Sequence, residues 1–138
     1  GTIGCLEAMV AGVGIPHLAA HMLGEAEARQ LGQGELPDPP AIYGAAAEGH
    51  PGAMQVVAEV GKLLAVAVVG VFRLLDVERM IVGGGVASVG APFLEAIYAG
   101  VERLGYRHLP PNAIVLSPLG ATANLLGAAA VVREKAGS

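Results

Sequence analysis

The chain has 138 residues, of which 54% are hydrophobic and only 14% charged, with a formal net charge of -4. That length holds one modest domain or a piece of a larger protein, and the composition excludes disorder in favour of a well-buried α/β or helical body. The acidic balance lacks the clustered Lys and Arg of a nucleic-acid footprint, and a surface so sparse in charge suggests that more protein covers part of it.

The opening Gly1-Thr2-Ile3-Gly4-Cys5 has no initiator Met and no signal-peptide pattern, and is expected to be cut from something longer. Cys5 is the single cysteine, which excludes an internal disulfide and fits a reducing, cytoplasmic setting. After it, Leu6, Met9, Val10 and Val13 recur at helical spacing, but Gly12 and Gly14 interrupt the run and Pro16 favours a fresh start. Two short helices with a kink are expected. His17 and His21 stand at i and i+4 on the second and could in principle hold a metal. With no Cys, Asp or Glu at ligand spacing in that helix, a surface pair is the plainer reading.

Residues 24–40 are polar, rich in Gly and Pro and without sustained period, so they are expected as a loop, either a flap over a site or an exposed connection. Asp38 then offers an N-cap with Pro39 behind it, and residues 41–48 form a short Ala-rich helix broken by Gly49-His50-Pro51-Gly52. Over residues 53–75 the apolar positions wrap most of the circumference, predicting a central buried helix in which Gly61 and Gly70 mark close approach of a neighbour. Its most apolar run, residues 63–72, is about half a bilayer span and is flanked by Lys62 and Arg73, so no membrane crossing is expected.

Asp76 ends that helix, and Met80-Ile81-Val82 empties as a strand into Gly83-Gly84-Gly85. Consecutive glycines lose backbone entropy on ordering and add no packing, so the triplet is either a bland tight turn or a place where a ligand approaches the backbone. Pro92 begins a helix with Leu94, Ile97, Tyr98, Val101 and Leu104 as one core-facing stripe. Ala113-Ile114-Val115-Leu116 is a second strand. Thr122 is the expected N-cap of a last helix whose apolar side is Leu125, Leu126, Ala129, Ala130 and Val132. Two strands joined by such a helix form a parallel βαβ unit, with both strand C-termini and the glycine turn on one sheet edge, where open α/β sheets bind ligands. Two strands are too few for an independent sheet, so partners are expected from a second copy or from upstream chain.

Three stretches together resemble the ROK family, the bacterial sugar kinases and sugar-responsive repressors of the actin-like ATPase superfamily. Gly1-Thr2-Ile3-Gly4-Cys5-Leu6-Glu7-Ala8 looks like the end of its cysteine signature, Ile81-Val82-Gly83-Gly84-Gly85-Val86 like its adenosine-binding turn, and Leu125-Leu126-Gly127-Ala128-Ala129 like its C-terminal helix motif. Ala46-Ala47-Glu48-Gly49 and Leu74-Leu75-Asp76 fall in the family's order. The chain departs from the family at His50, where Asp is usual, and at Ala121 and Thr122, where acidic residues commonly follow the glycine.

The resemblance implies an α/β, ribonuclease-H-like (actin-like ATPase) lobe, helix-rich with a parallel βαβ unit, of which residues 1–138 are the C-terminal half. It implies an ATP-dependent, glucokinase-like phosphoryl transfer to a hexose hydroxyl, with Mg on the nucleotide and the catalytic base upstream of Gly1. Carried over by residue, Gly83, Gly84, Gly85 and Val86 pass beneath the adenosine, Glu7 accepts hydrogen bonds from sugar hydroxyls, and Cys5 is the last ligand of a structural zinc. Without its partners Cys5 is a free thiol, and Glu7 is alternatively a first-turn acid favoured by the helix dipole. The implied partners are a small sugar and a nucleotide in a homo-oligomer, with no membrane and no nucleic acid through this segment. A sugar-sensing repressor and a non-catalytic packing or dimerisation module share the same motifs.

Overall fold

Pro51 occupies the first turn of the longest helix because its missing N–H is not needed there, and the computed structural model, which describes residues 4–136, builds the fold around that helix. Gly1, Thr2 and Ile3 of the opening motif lie outside the described residues. In chain order the elements are α1 (Glu7–Val10), α2 (Gly14–Leu23), α3 (Glu25–Leu31), α4 (Pro39–Ala47), α5 (Pro51–Leu75), β1 (Met80–Val82), a 3-10 turn (Val86–Val89) and α6 (Ala91–Arg103). After α6 come β2 (Ile114–Leu116), a second 3-10 turn (Gly120–Thr122) and α7 (Ala123–Ala136).

Local chemistry sets most of the boundaries. The Asp38 carboxylate accepts from the Ala41 N–H at 2.9 Å and caps α4, as expected. His50 does the same for α5 through Nδ1, which accepts from the Ala53 N–H at 3.3 Å, so α5 begins at Pro51 rather than Ala53. Asp76 closes α5 in the left-handed conformation at φ 49°.

The expected loop over residues 24–40 is corrected: it contains α3. That helix has little apolar period and is held by other means. Glu25 and Glu27 sit in its positive first turn, Arg29 pairs with Glu25 at 2.7 Å, and Ala28 alone is fully buried. Arg29 Nη1 also donates to the Gly34 carbonyl at 3.2 Å, folding the rest of the segment back onto α3. The segment is therefore an anchored connection between α2 and α4.

Helix α5 meets α2, α4 and above all α6. At its crossing with α6 the backbones nearly touch: a Cβ on Gly61 would overlap the Ala96 carbonyl, and one on Gly100 would overlap the Gly61 carbonyl and reach Ala65 Cβ at 2.8 Å. Small residues at both positions allow this approach. The approach expected at Gly70 does not occur, since nothing lies within 4 Å of a Cβ there. Around the crossing, Ile15, Ile42, Val56, Val60, Ile97 and Ile114 are fully buried and make one continuous core.

Of the expected α6 stripe, Ile97 and Val101 are buried and Leu94 and Tyr98 pack half-buried on the core, while Leu104, at the helix end, is 45% exposed; Phe93, Ala96 and Gly100 are buried as well. Among the described residues α5 is the one helix long and apolar enough by length and composition to cross a membrane, which corrects the half-span reading. Here one face of it is buried against α2, α4 and α6.

Strands β1 and β2 pair in parallel, Met80 with Ile114, Ile81 with Val115 and Val82 with Leu116, as the βαβ reading requires. Two other expectations fail. Thr122 does not cap α7: its Oγ1 donates to the Leu119 carbonyl at 2.7 Å inside the 3-10 turn. The apolar side of α7 is not covered, with Leu125 73% exposed and Leu126 and Val132 also exposed. Helical period identifies an apolar side, but nothing among the described residues covers it.

The core holds one polar atom without a partner among the described residues, the Tyr43 hydroxyl. Tyr43 is buried on α4 with its ring edge-on to Phe93 at a centroid distance of 6.3 Å. Burial pushes its phenol from 10.0 up to about 12.

Two measurements test this packing. Gly61→Ala and Gly100→Ala are each expected to lower unfolding free energy by about 2–3 kcal/mol through overpacking, while Gly70→Ala in the same helix raises it by about 1 kcal/mol; equal effects at all three sites in denaturant melts would contradict the crossing. Tyr43 titrates at lower pH unfolded than folded, so its contribution is intact below pH 10 and is lost as pH rises to about 12. That loss amounts to about 3 kcal/mol at most. Tyr43→Phe should abolish this part of the alkaline decline and leave neutral-pH stability equal or higher by about 1 kcal/mol.

Candidate functional site

The glycine triplet lies where both strands end. The Ser117 N–H donates to the Val82 carbonyl at 2.7 Å, tying the last residue of β1 to the residue after β2. Beyond that tie each strand runs into its own 3-10 turn, and the two turns pack against one another. On the β1 side the Ser88 N–H and Oγ both donate to the Gly85 carbonyl, at 3.2 and 2.6 Å. On the β2 side Ser117 Oγ accepts from the Leu119 N–H at 3.2 Å, and the Gly120 N–H donates to the Ser117 carbonyl at 3.1 Å. Backbone groups and small hydroxyls therefore hold the corner together.

The four residues predicted here divide by role. Gly83 is needed for packing, since a Cβ on it would sit 3.3 Å from Ser117 Cβ and 3.9 Å from Ala123 Cβ. Gly84 has φ +100°, a conformation that side chains rarely adopt, and Gly85 is ordinary at φ −61°. At both Gly84 and Gly85 the space a Cβ would enter is empty to 4 Å. Val86 begins the 3-10 turn and packs half-buried on the core. The corner thus presents bare backbone at the carboxyl ends of two parallel strands, a surface against which a flat ring can lie closely. No carboxylate, imidazole or ammonium enters the hydrogen bonds described at the corner.

The remaining predicted residues lie elsewhere. Glu7 is exposed at the start of α1, which packs on α2 and α5, whereas the corner packs on α4 and α6. Cys5 is a half-buried free thiol. No three of the His, Cys, Asp and Glu side chains among the described residues form a group able to hold a metal. The residues described do not fit a closed zinc site, which needs four ligands. His17 and His21 are exposed on α2.

Cavities form away from the corner. One of about 900 Å³ lies between the end of α6 and the connection to β2, lined by Tyr98, Glu102, Tyr106, Arg107 and Asn112. Another, of about 390 Å³, lies between α4, α5 and α6 beside Tyr43, Met54, Val57 and Arg103. Sequence reasoning missed both: the first is made by the fold of the single stretch 98–112, the second by residues of α4, α5 and α6 far apart in the chain. It also missed Ser117, whose one signal was its place directly after β2, opposite Gly83.

A sequence model of the ROK family matches residues 1–135. The glucokinase of Thermotoga maritima is 27% identical over 146 residues, covering 99% of this chain and 45% of that protein. Among solved structures, a ROK family glucokinase from Streptomyces griseus in complex with glucose and AMPPNP superposes with a TM-score of 0.78 at 28% identity, over 97% of this chain and 46% of that one. A candidate sugar kinase from Cytophaga hutchinsonii gives 0.71 at 26% identity, over 93% and 44%. The chain spans about half the length of the relatives it matches.

The corner's backbone is testable without any ligand. Gly84→Ala is expected to cost about 1 kcal/mol or more because of its positive φ, whereas Gly85→Ala is neutral within about 0.5 kcal/mol. A large loss at Gly85 in thermal melts would mean that its side is occupied.

Proposed function

The chain belongs to the ROK family, with the α/β, actin-like ATPase fold of that family's sugar kinases, and from that premise we propose that it is the C-terminal part of the nucleotide-binding lobe of an ATP-dependent, glucokinase-like sugar kinase. The observation that carries this reading is the open backbone at Gly84 and Gly85 on the shared carboxyl edge of β1 and β2. The glucose and AMPPNP held by the Streptomyces griseus relative support a sugar and a nucleotide as the partners.

In this reading Gly83 lets the turn after β2 close against the corner, and Gly84 and Gly85 let the adenosine rest on main chain with no side chain between. The nucleotide supplies the phosphoryl group, and catalysis of that transfer rests on positioning and charge stabilisation more than on covalent steps. Glu7 accepts hydrogen bonds from sugar hydroxyls and so orients the acceptor; its placement on α1, away from the corner, fits a residue that meets the sugar and not the base. The proton acceptor for the attacking hydroxyl belongs to the other half of the enzyme, consistent with a corner built from backbone and hydroxyl groups. A structural zinc at Cys5 would draw its other ligands from outside the described residues. The sugar-responsive repressor shares these residues and draws no separate support.

The test uses a full-length ROK protein carrying this chain, assayed for hexose-dependent ATP consumption. Gly85→Leu is expected to raise the KM for ATP about tenfold or more, with the sugar KM and the melting temperature unchanged. Glu7→Gln should do the converse, raising the sugar KM or lowering kcat with ATP affinity intact. Sugar binding without turnover on any hexose would reject the kinase, and unchanged ATP affinity in Gly85→Leu would reject the corner as its site.

A further inference from the structure

Two adjacent glycines of the corner sit in backbone regions of opposite hand. Gly84 is at φ +100°, and Gly85 is at φ −61° and ψ −41°. Neither has a side chain to hold it there, and glycine crosses between such regions more freely than any other residue. What fixes Gly85 is its carbonyl. Turning ψ of Gly85 swings that oxygen, and one residue grips it twice: the Ser88 N–H donates to it at 3.2 Å and the Ser88 Oγ at 2.6 Å. The backbone bond is the longer of the two and belongs to a 3-10 turn of four residues, where hydrogen-bond geometry is poorer than in an α-helix. The short hydroxyl bond is therefore the firmer hold. Ser88 Oγ makes no second hydrogen bond among the described residues, and Ser88 is exposed, whereas Val86, Ala87 and Val89 seat the same turn on the core.

We propose that Ser88 is a positioning residue for the nucleotide: its hydroxyl, through the Gly85 carbonyl, holds Gly84 and Gly85 in the conformation on which the adenosine rests. The proposal depends on the reading of the corner as the nucleotide site. Without the hydroxyl, the two glycines become ordered only as the nucleotide settles on them, and the cost of that ordering is subtracted from affinity; with it, the surface is formed in advance. The fold itself has little use for the bond, since the apolar residues of the turn anchor it and an exposed side chain seldom changes stability by more than about 0.5 kcal/mol. Nor does the sugar depend on it, because Glu7 lies on α1, away from the corner. Loss of the hydroxyl therefore acts on the nucleotide alone.

Calorimetric titration of AMPPNP, and separately of glucose, into a full-length ROK protein carrying this chain tests the proposal, with Gly85→Leu as the reference variant. Ser88→Ala is expected to weaken AMPPNP binding about threefold to tenfold, the effect of one lost hydrogen bond, with glucose affinity and melting temperature unchanged. Ser88→Thr, whose hydroxyl can make the same bond to the carbonyl three residues back, should restore the original affinity. A purely structural role would lower the melting temperature and both affinities together, and that result overturns the proposal. So does an unchanged AMPPNP affinity in Ser88→Ala, or a threonine variant as weak as the alanine one. Gly85→Leu separates this failure from that of the nucleotide reading. If it weakens AMPPNP while Ser88→Ala does not, the corner holds the nucleotide and Ser88 does not position it; if neither variant changes AMPPNP affinity, the corner is not the nucleotide site and both readings fall.

Discussion

Helices α5 and α6 meet with almost nothing between them, and the position of the glycine corner follows from that meeting. Gly61 and Gly100 each lack the one carbon that would collide with the opposing carbonyl, and Ala65 and Ala96 fill the remaining gap. Close-packed interiors leave no slack for such a contact to be made slightly differently. Once α6 is seated, its start delivers Phe93 to Tyr43 on α4, and its middle holds Tyr98 beside β2. The glycine corner joins β1, which follows α5, to the start of α6, and so its geometry is set from both sides.

The corner is built almost entirely of main chain. Its hydrogen bonds run between backbone groups and the hydroxyls of Ser88, Ser117 and Thr122, none of which carries charge.

The exposed apolar surface has the same origin. Leu74 at the end of α5 is 84% exposed, and Ile81 and much of α7 are also open. In a self-sufficient domain these side chains would be paired off in the core, and their position outside it marks where neighbouring structure belongs.

Features that depend on near neighbours in the chain were legible from residues alone. Asp38 before Pro39, Asp76 after the long apolar run, the apolar triplets at β1 and β2 and the three glycines between β1 and α6 all act within a few residues of themselves. So did the parallel pairing, since a helix between two strands leaves little other choice. Helix α3 escaped because an ion pair and two first-turn acids hold it, with little apolar period to announce it. Which side of α6 is buried, whether α7 is covered, and which hydroxyls reach the β2 edge and the Tyr43 site depended on atoms distant in sequence and brought together only by the α5–α6 crossing. The separation of Glu7 from the glycines is of that kind as well. Periodicity and capping report the local backbone, but burial and partnership belong to pairs of elements, and no single stretch of sequence contains both members of a pair.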